Sequence, residues 1–189
     1  MRAPIILIVE DDAIIARHLQ FVLRKLGYAV DCIVSSGPAA IQKASELLPD
    51  LILMDIHLES EMDGVEAAEE ILKENKIPII YLTAYAGDDL LKRARVTAPS
   101  GYILKPFEER HLHATIEMAL QKHQLEIQLQ EKNDRYMAVM AQLSDGFLMI
   151  DPLTHQIIEV NPAFTRMVGR SAEDLLGKRI ERILGLNTH

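Results

Sequence analysis

Ile5-Ile6-Leu7-Ile8-Val9-Glu10-Asp11-Asp12 decides the fold. Five apolar residues in a row are the pattern of a strand buried on both faces, and such strands belong to parallel sheets covered by helices. Three acids follow without a spacer. Outward from this stretch, strands and helices alternate. Ala13–Leu26 carries Ile15, Leu19, Val22, Leu23 and Leu26 at helical spacing, with Asp12 placed to cap it and Gly27 to stop it. Tyr28–Val34 reads as a strand. Ser36 and Pro38 open a helix that reaches Leu48, where Pro49 breaks it. Leu51–Met54 is a third strand ending on Asp55, Gly64–Glu74 a helix, Pro78–Leu82 a strand, Gly87–Val96 a helix and Tyr102–Leu104 a short last strand before Lys105-Pro106. Five βα units of this length predict an α/β, doubly wound parallel sheet with helices on both faces.

The chain has 189 residues, 49% apolar and 25% charged, an ordinary globular composition that excludes a disordered or collagen-like chain. Cys32 is the single cysteine, so no internal disulfide forms, and it reads as a small core hydrophobe. The net charge of −8 excludes a broad basic footprint for nucleic acid or an anionic membrane. No apolar run approaches the ~20 residues needed to span a bilayer, and the N-terminus has no secretory signal. The expected location is cytoplasmic.

In an open parallel sheet, ligands bind at the carboxyl ends of the strands. Glu10, Asp11 and Asp12 follow the first strand and Asp55 ends the third. In the strand order 2-1-3-4-5 these would be neighbours. Carboxylates that converge cannot all stay ionised without a counter-ion, and a hard divalent cation such as Mg²⁺ answers that need. Thr83 and Lys105 arrive at the same edge after the fourth and fifth strands. A metal, a carboxylate nucleophile, a hydroxyl and an ammonium are the parts needed to accept and hold a phosphoryl group.

Residues 1–122 resemble a two-component response-regulator receiver domain. The matching pieces are Ile-Val-Glu-Asp-Asp at 8–12, Leu-Met-Asp at 53–55, Asp63-Gly64, Leu-Thr-Ala at 82–84 and Gly-Tyr-Ile-Leu-Lys-Pro-Phe at 101–107. The resemblance implies a flavodoxin-like fold and phosphorylation of Asp55 by a histidine kinase or phosphotransfer protein. It implies Mg²⁺ held by Asp11, Asp55 and the main-chain carbonyl of His57, with Glu10 acting through water. It assigns Thr83 and Lys105 to the phosphoryl oxygens and a switch role to Thr83 and Tyr102. The Lys105-Pro106 bond is expected to be cis. One departure stands out: the family's Met-Pro pair after the phosphoacceptor is absent. The loop Asp55-Ile-His-Leu-Glu-Ser-Glu-Met-Asp63-Gly64 has one extra residue, and Glu59 and Glu61 make its rim acidic.

From Glu108 to Leu143 there is no proline or glycine, and Met118, Lys122, Leu125, Leu129, Lys132, Tyr136, Val139 and Leu143 follow a 4-3-4-3 spacing. This is a heptad seam on a helix roughly 50 Å long. It predicts a parallel homodimer along 118–143, with residues 123–143 as a coiled-coil-like linker. Residues 144–189 resemble the first half of a PAS domain, on Ser-Asp-Gly at 144–146, Met-Ile-Asp at 149–151, Glu-Val-Asn-Pro-Ala-Phe at 159–164, and Gly169 with Gly177. Two strands and short helices make too small a core to stand alone, so the chain is expected to be a fragment or to borrow a partner's surface. No PAS cofactor is expected, and Phe164, Met167 and Leu175 read as core.

The resemblance implies a response regulator that switches without turning over substrate. A receiver-PAS input portion of a hybrid sensor histidine kinase is the alternative. An aspartate-nucleophile phosphatase needs an acidic residue two places beyond its nucleophile, where this chain has His57. A nucleotide-binding phosphate loop would not carry Glu10-Asp11-Asp12.

Overall fold

The computed structural model describes residues 2–59, 61–84, 93–94 and 97–184. The chain divides into two compact units, 1–125 and 126–189.

The first unit contains β1 (Ile5–Val9), α1 (Ala13–Lys25), β2 (Ala29–Val34), α2 (Gly37–Leu47), β3 (Leu51–Asp55), α3 (Gly64–Glu74), β4 (Ile79–Thr83), β5 (Gly101–Leu104) and the beginning of a long helix, α4 (Glu109–Gln142). The five strands are parallel and ordered β2-β1-β3-β4-β5. Alternation across the pleat splits the core in two. Leu7, Val9, Ile52, Met54, Ile79 and Tyr81 face a layer that includes Val65, Ala68 and Ile71 of α3. Ile6, Ile8, Leu51, Leu53, Ile80 and Leu82 face Leu19 and Leu23 of α1 and Leu112 and Ile116 of α4. The expected helix at 87–96 falls largely on residues 87–92 and 95–96, outside the described residues.

Local chemistry sets the helix ends. Asp12 Oδ1 accepts from the amides of Ile14 at 2.7 Å and Ile15 at 3.1 Å, as an N-cap does. Asp63 and Glu66 form a reciprocal capping box at the start of α3. Gly27 takes φ +92°, open to glycine without strain. At α2 Ser36 is the N-cap, without a side-chain bond, and Pro38 lies in the first turn as expected; the helix ends at Leu47, and Leu48 takes the left-handed cap before Pro49.

The second unit holds the remainder of α4, then β6 (Leu148–Ile150), β7 (Ile157–Val160), α5 (Pro162–Val168), α6 (Ala172–Leu175) and α7 (Ile180–Leu184). β6 and β7 are antiparallel. Their turn is built by Asp151, whose Oδ1 accepts from the amides of Leu153 and Thr154. Ile157, Phe164 and Leu175 form the core. Met167 does not join it: its side chain is 70% exposed. So small a core has no second layer, and Met167 lies over Gly146 at its rim.

Asn161 is the polar hub of this unit. Its Oδ1 accepts from the amides of Phe147 at 2.8 Å and Phe164 at 2.9 Å, and its Nδ2 donates to Asp145 O at 2.9 Å. Along α4, Leu125 is 59% and Leu129 70% exposed. Tyr136 is half-buried instead, because its hydroxyl donates to Glu159 Oε2 at 3.0 Å. Among the described residues, no helix is long and apolar enough to cross a membrane.

Candidate functional site

Strand register assembles the site. Val9 pairs with Met54, so Glu10 and Asp55 leave the sheet side by side. Asp55 pairs with Leu82 and Thr83 with Leu104, which brings Thr83 and Lys105 to the same edge. The amide of Lys105 donates to Thr83 O at 2.8 Å, and the Lys105-Pro106 bond is cis, as expected.

Glu10, Asp11 and Asp55 each bring one carboxylate oxygen within 4.8 Å of the others. Glu10 is 2% and Asp55 5% exposed. Lys105 Nζ lies 2.7 Å from both Asp55 Oδ2 and Glu10 Oε2. Among the described residues, Glu10 Oε1 has no hydrogen-bond donor. Burial pushes the Glu10 carboxyl up to about 7; Lys105 opposes the rise and the charge of Asp55 reinforces it. Burial alone would lower Lys105, but its bonds to Asp55 and Glu10 hold the ammonium above its ordinary pKa.

One ammonium does not balance three carboxylates. The imbalance, the orphaned oxygen of Glu10 and the all-oxygen donor set fit a hard divalent cation such as Mg²⁺. The His57 side chain is exposed, while its amide donates to Asp55 Oδ1 at 3.1 Å. Thr83 is buried at 1% exposure. Tyr102, opposite Tyr81 on the neighbouring strand, stacks on that ring with centroids 5.9 Å apart.

Glu10, Asp11, Asp55 and Lys105 therefore meet in one pocket. Beside it a cleft of about 490 Å³ is lined by Ile14, Ile15, His18, Lys105, Pro106 and Phe107, with Ala84 completing the wall. Three features escaped sequence reasoning. Gly64 packs so closely beneath the site that a Cβ there would lie 1.8 Å from Asp55 O. The amide of Glu59 donates to Asp11 Oδ2 at 2.7 Å. Tyr81 supplies the ring behind Tyr102 and hydrogen-bonds Thr97 Oγ1 at 3.0 Å. The alternation of Ile56 and Leu58 was a signal for the loop path; no residue type announces a backbone amide.

A parallel sheet with this strand order and a lysine-bridged acidic edge is the arrangement that the resemblance to a receiver implies. Residues 6–117 match the family profile described as response regulator receiver domain, and residues 134–188 match that of a PAS domain. The chain belongs to the response-regulator receiver family, with a PAS domain after the receiver. It is similar to the transcriptional regulatory protein PdtaR of Mycobacterium tuberculosis, 37% identical over 117 residues, which are 62% of this chain and 57% of that protein. The chain thus spans little more than half of that relative. Among solved structures, it resembles the signal receiver domain of a modulated diguanylate cyclase from Desulfovibrio desulfuricans G20. That match has 39% identity and TM-score 0.63, covering 66% of this chain and 98% of that one. It also resembles the receiver domain of sensor histidine kinase PA1611 from Pseudomonas aeruginosa, a structure with a magnesium ion coordinated in the active site cleft. Here identity is 30% and TM-score 0.58, over 63% of this chain and 98% of that one.

Proposed function

We propose that this two-component response regulator takes a phosphoryl group onto Asp55 from a phosphohistidine of a histidine kinase or phosphotransfer protein. The observation that carries this reading is a buried strand-end carboxylate held by a lysine and flanked by two further acids. A carboxylate oxygen of Asp55 attacks phosphorus, the phosphorus–nitrogen bond breaks, and the bonding pair leaves on the imidazole, which takes a proton from solvent. The product is an aspartyl phosphate. Asp11, Asp55 and the His57 carbonyl would hold Mg²⁺, with Glu10 acting through water. The cation supplies positive charge against the phosphoryl oxygens. Lys105 offsets the same charge, and Thr83 donates its hydroxyl to it. The apolar cleft between α1 and Phe107 gives the partner's histidine a route to Lys105 and Asp55.

The new charge then biases a two-state element. Thr83 is drawn toward the phosphoryl group and Tyr102 rotates inward behind it. The change passes along α4, and two chains pair in parallel through Leu125, Leu129, Tyr136, Val139 and Leu143. In this reading the receiver is a phosphoacceptor switch, and His57 stands where an aspartyl phosphatase needs its general acid.

Incubation with acetyl phosphate and Mg²⁺, read by intact mass, tests the reading. Wild type gains the mass of one phosphoryl group, and Asp55→Asn gains none. A phosphoryl adduct on Asp55→Asn, or none on wild type, would overturn it.

A further inference from the structure

The loop between β3 and α3 departs from the family pattern in sequence, and its backbone reaches the acidic pocket. Ile56 and Leu58 both point inward, with Leu58 7% exposed. The alternation turns His57 and Glu59 outward. Burying Leu58 brings the next amide over the first strand's acids. The Glu59 N–H donates to Asp11 Oδ2 at 2.7 Å, at the short end of the charge-assisted range. The amide two residues earlier, of His57, donates to Asp55 Oδ1 at 3.1 Å. Two alternate amides of one loop therefore each hold one carboxylate of the pocket. The loop is fixed behind them as well: the Gly64 amide donates to Ile56 O at 3.1 Å, and Met62 lies across Gly37 at the start of α2.

A carboxylate offers about four lone-pair sites, so an amide on one of them still leaves room for a cation. Asp11 is only partly buried and follows the strand end, where its side chain would otherwise sample several rotamers. Groups that orient metal ligands from outside the coordination sphere typically contribute 10–100-fold to metal affinity, roughly speaking.

We propose that the main-chain amide of Glu59 is a positioning group for the divalent cation. It holds Asp11 in its ligating pose, Leu58 anchors it, and the Glu59 carboxylate itself is dispensable. This deepens the reading of the pocket as a cation site and rests on it.

The test measures Mg²⁺ binding to the whole chain by calorimetry, without phosphodonor. Glu59→Pro removes the N–H, and Glu59→Ala keeps it. The proposal expects about 10-fold weaker binding for Glu59→Pro and binding within about twofold of wild type for Glu59→Ala. Wild-type affinity in Glu59→Pro overturns it. So does an equal loss in both variants, which would assign the effect to the side chain. A second measurement needs no proline. Amide hydrogen exchange in the metal-free protein should show the Glu59 N–H protected on the order of 10-fold or more, with protection lost in Asp11→Ala. An unprotected Glu59 amide in wild type, or protection that survives in Asp11→Ala, refutes the proposal. Wild-type protein that binds no Mg²⁺ would instead remove the underlying cation site together with this inference.

Discussion

Substituting Gly64 by alanine tests how tightly Asp55 is built into the fold. The added Cβ would lie 1.8 Å from Asp55 O, 2.9 Å from its carbonyl carbon and 3.2 Å from Ile56 Cα. Ordinary contact begins at 3.4 Å, so the two backbones must part by about 1.6 Å. Nothing there is flexible. Every residue of β3 is buried, and Gly64 N is bonded to Ile56 O at 3.1 Å. Overpacking costs ~1–3 kcal/mol and a lost hydrogen bond ~1 kcal/mol more, so Gly64→Ala is expected to destabilise the receiver by about 3 kcal/mol. Gly37→Ala is the control. Its Cβ would meet Met62 Cγ at 2.9 Å, Sδ at 3.0 Å and Cβ at 3.1 Å, all atoms of one unbranched side chain and none of them backbone. Its cost should stay under ~1 kcal/mol. Urea unfolding followed by circular dichroism measures both, and Mg²⁺ calorimetry reports the pocket. Because the Asp55 carbonyl and carboxylate share one Cα, Gly64→Ala should also weaken Mg²⁺ binding. A Gly64→Ala protein as stable as Gly37→Ala, binding Mg²⁺ like wild type, would refute this reasoning.

Asn161→Ala leaves the amides of Phe147 and Phe164 without their acceptor and removes an N-cap; a loss of roughly 2–4 kcal/mol is expected in the second unit, measured as faster hydrogen exchange at those amides. In metal-free protein, the Glu10 carboxyl is raised from 4.5 to about 7 on folding. The folded state then holds that proton more tightly than the unfolded chain, so this contribution favours folding at low pH and is lost as pH rises through about 7. Melting in a chelator from pH 5 to pH 8 should show that decline, and Glu10→Gln should flatten it. Leu125→Glu with Leu129→Glu places charge on the α4 seam, and light scattering at micromolar concentration should find monomer where wild type is dimeric. Identical mass for both proteins would count against pairing along this seam.

Much of the receiver was legible because its signals are local. Continuous apolar runs define β1 and β3, a capping aspartate and a stop glycine bound α1, and acids at strand ends mark the edge where chemistry collects. The turn at Asp151 and the helix cap at Asn161 are likewise built from neighbours in sequence. Met167 was misjudged because burial depends on how many layers cover a face, and a unit of this size has too few. The bond from the Tyr136 hydroxyl to Glu159, 23 residues away, has no local signal, because it depends on how the chain folds back.

By itself, the sequence determined which side chains the pocket would use, since residue type and position at a strand end suffice for that. Tertiary structure alone decided how those groups are held. Lys105 bridges Glu10 and Asp55 because register aligns three separate strand ends. Gly64 is required because another stretch of backbone passes within contact distance. The Glu59 amide reaches Asp11 because a buried leucine fixes the path of its loop. Each is a distance between backbone segments far apart along the chain, and such distances exist only once the core has packed.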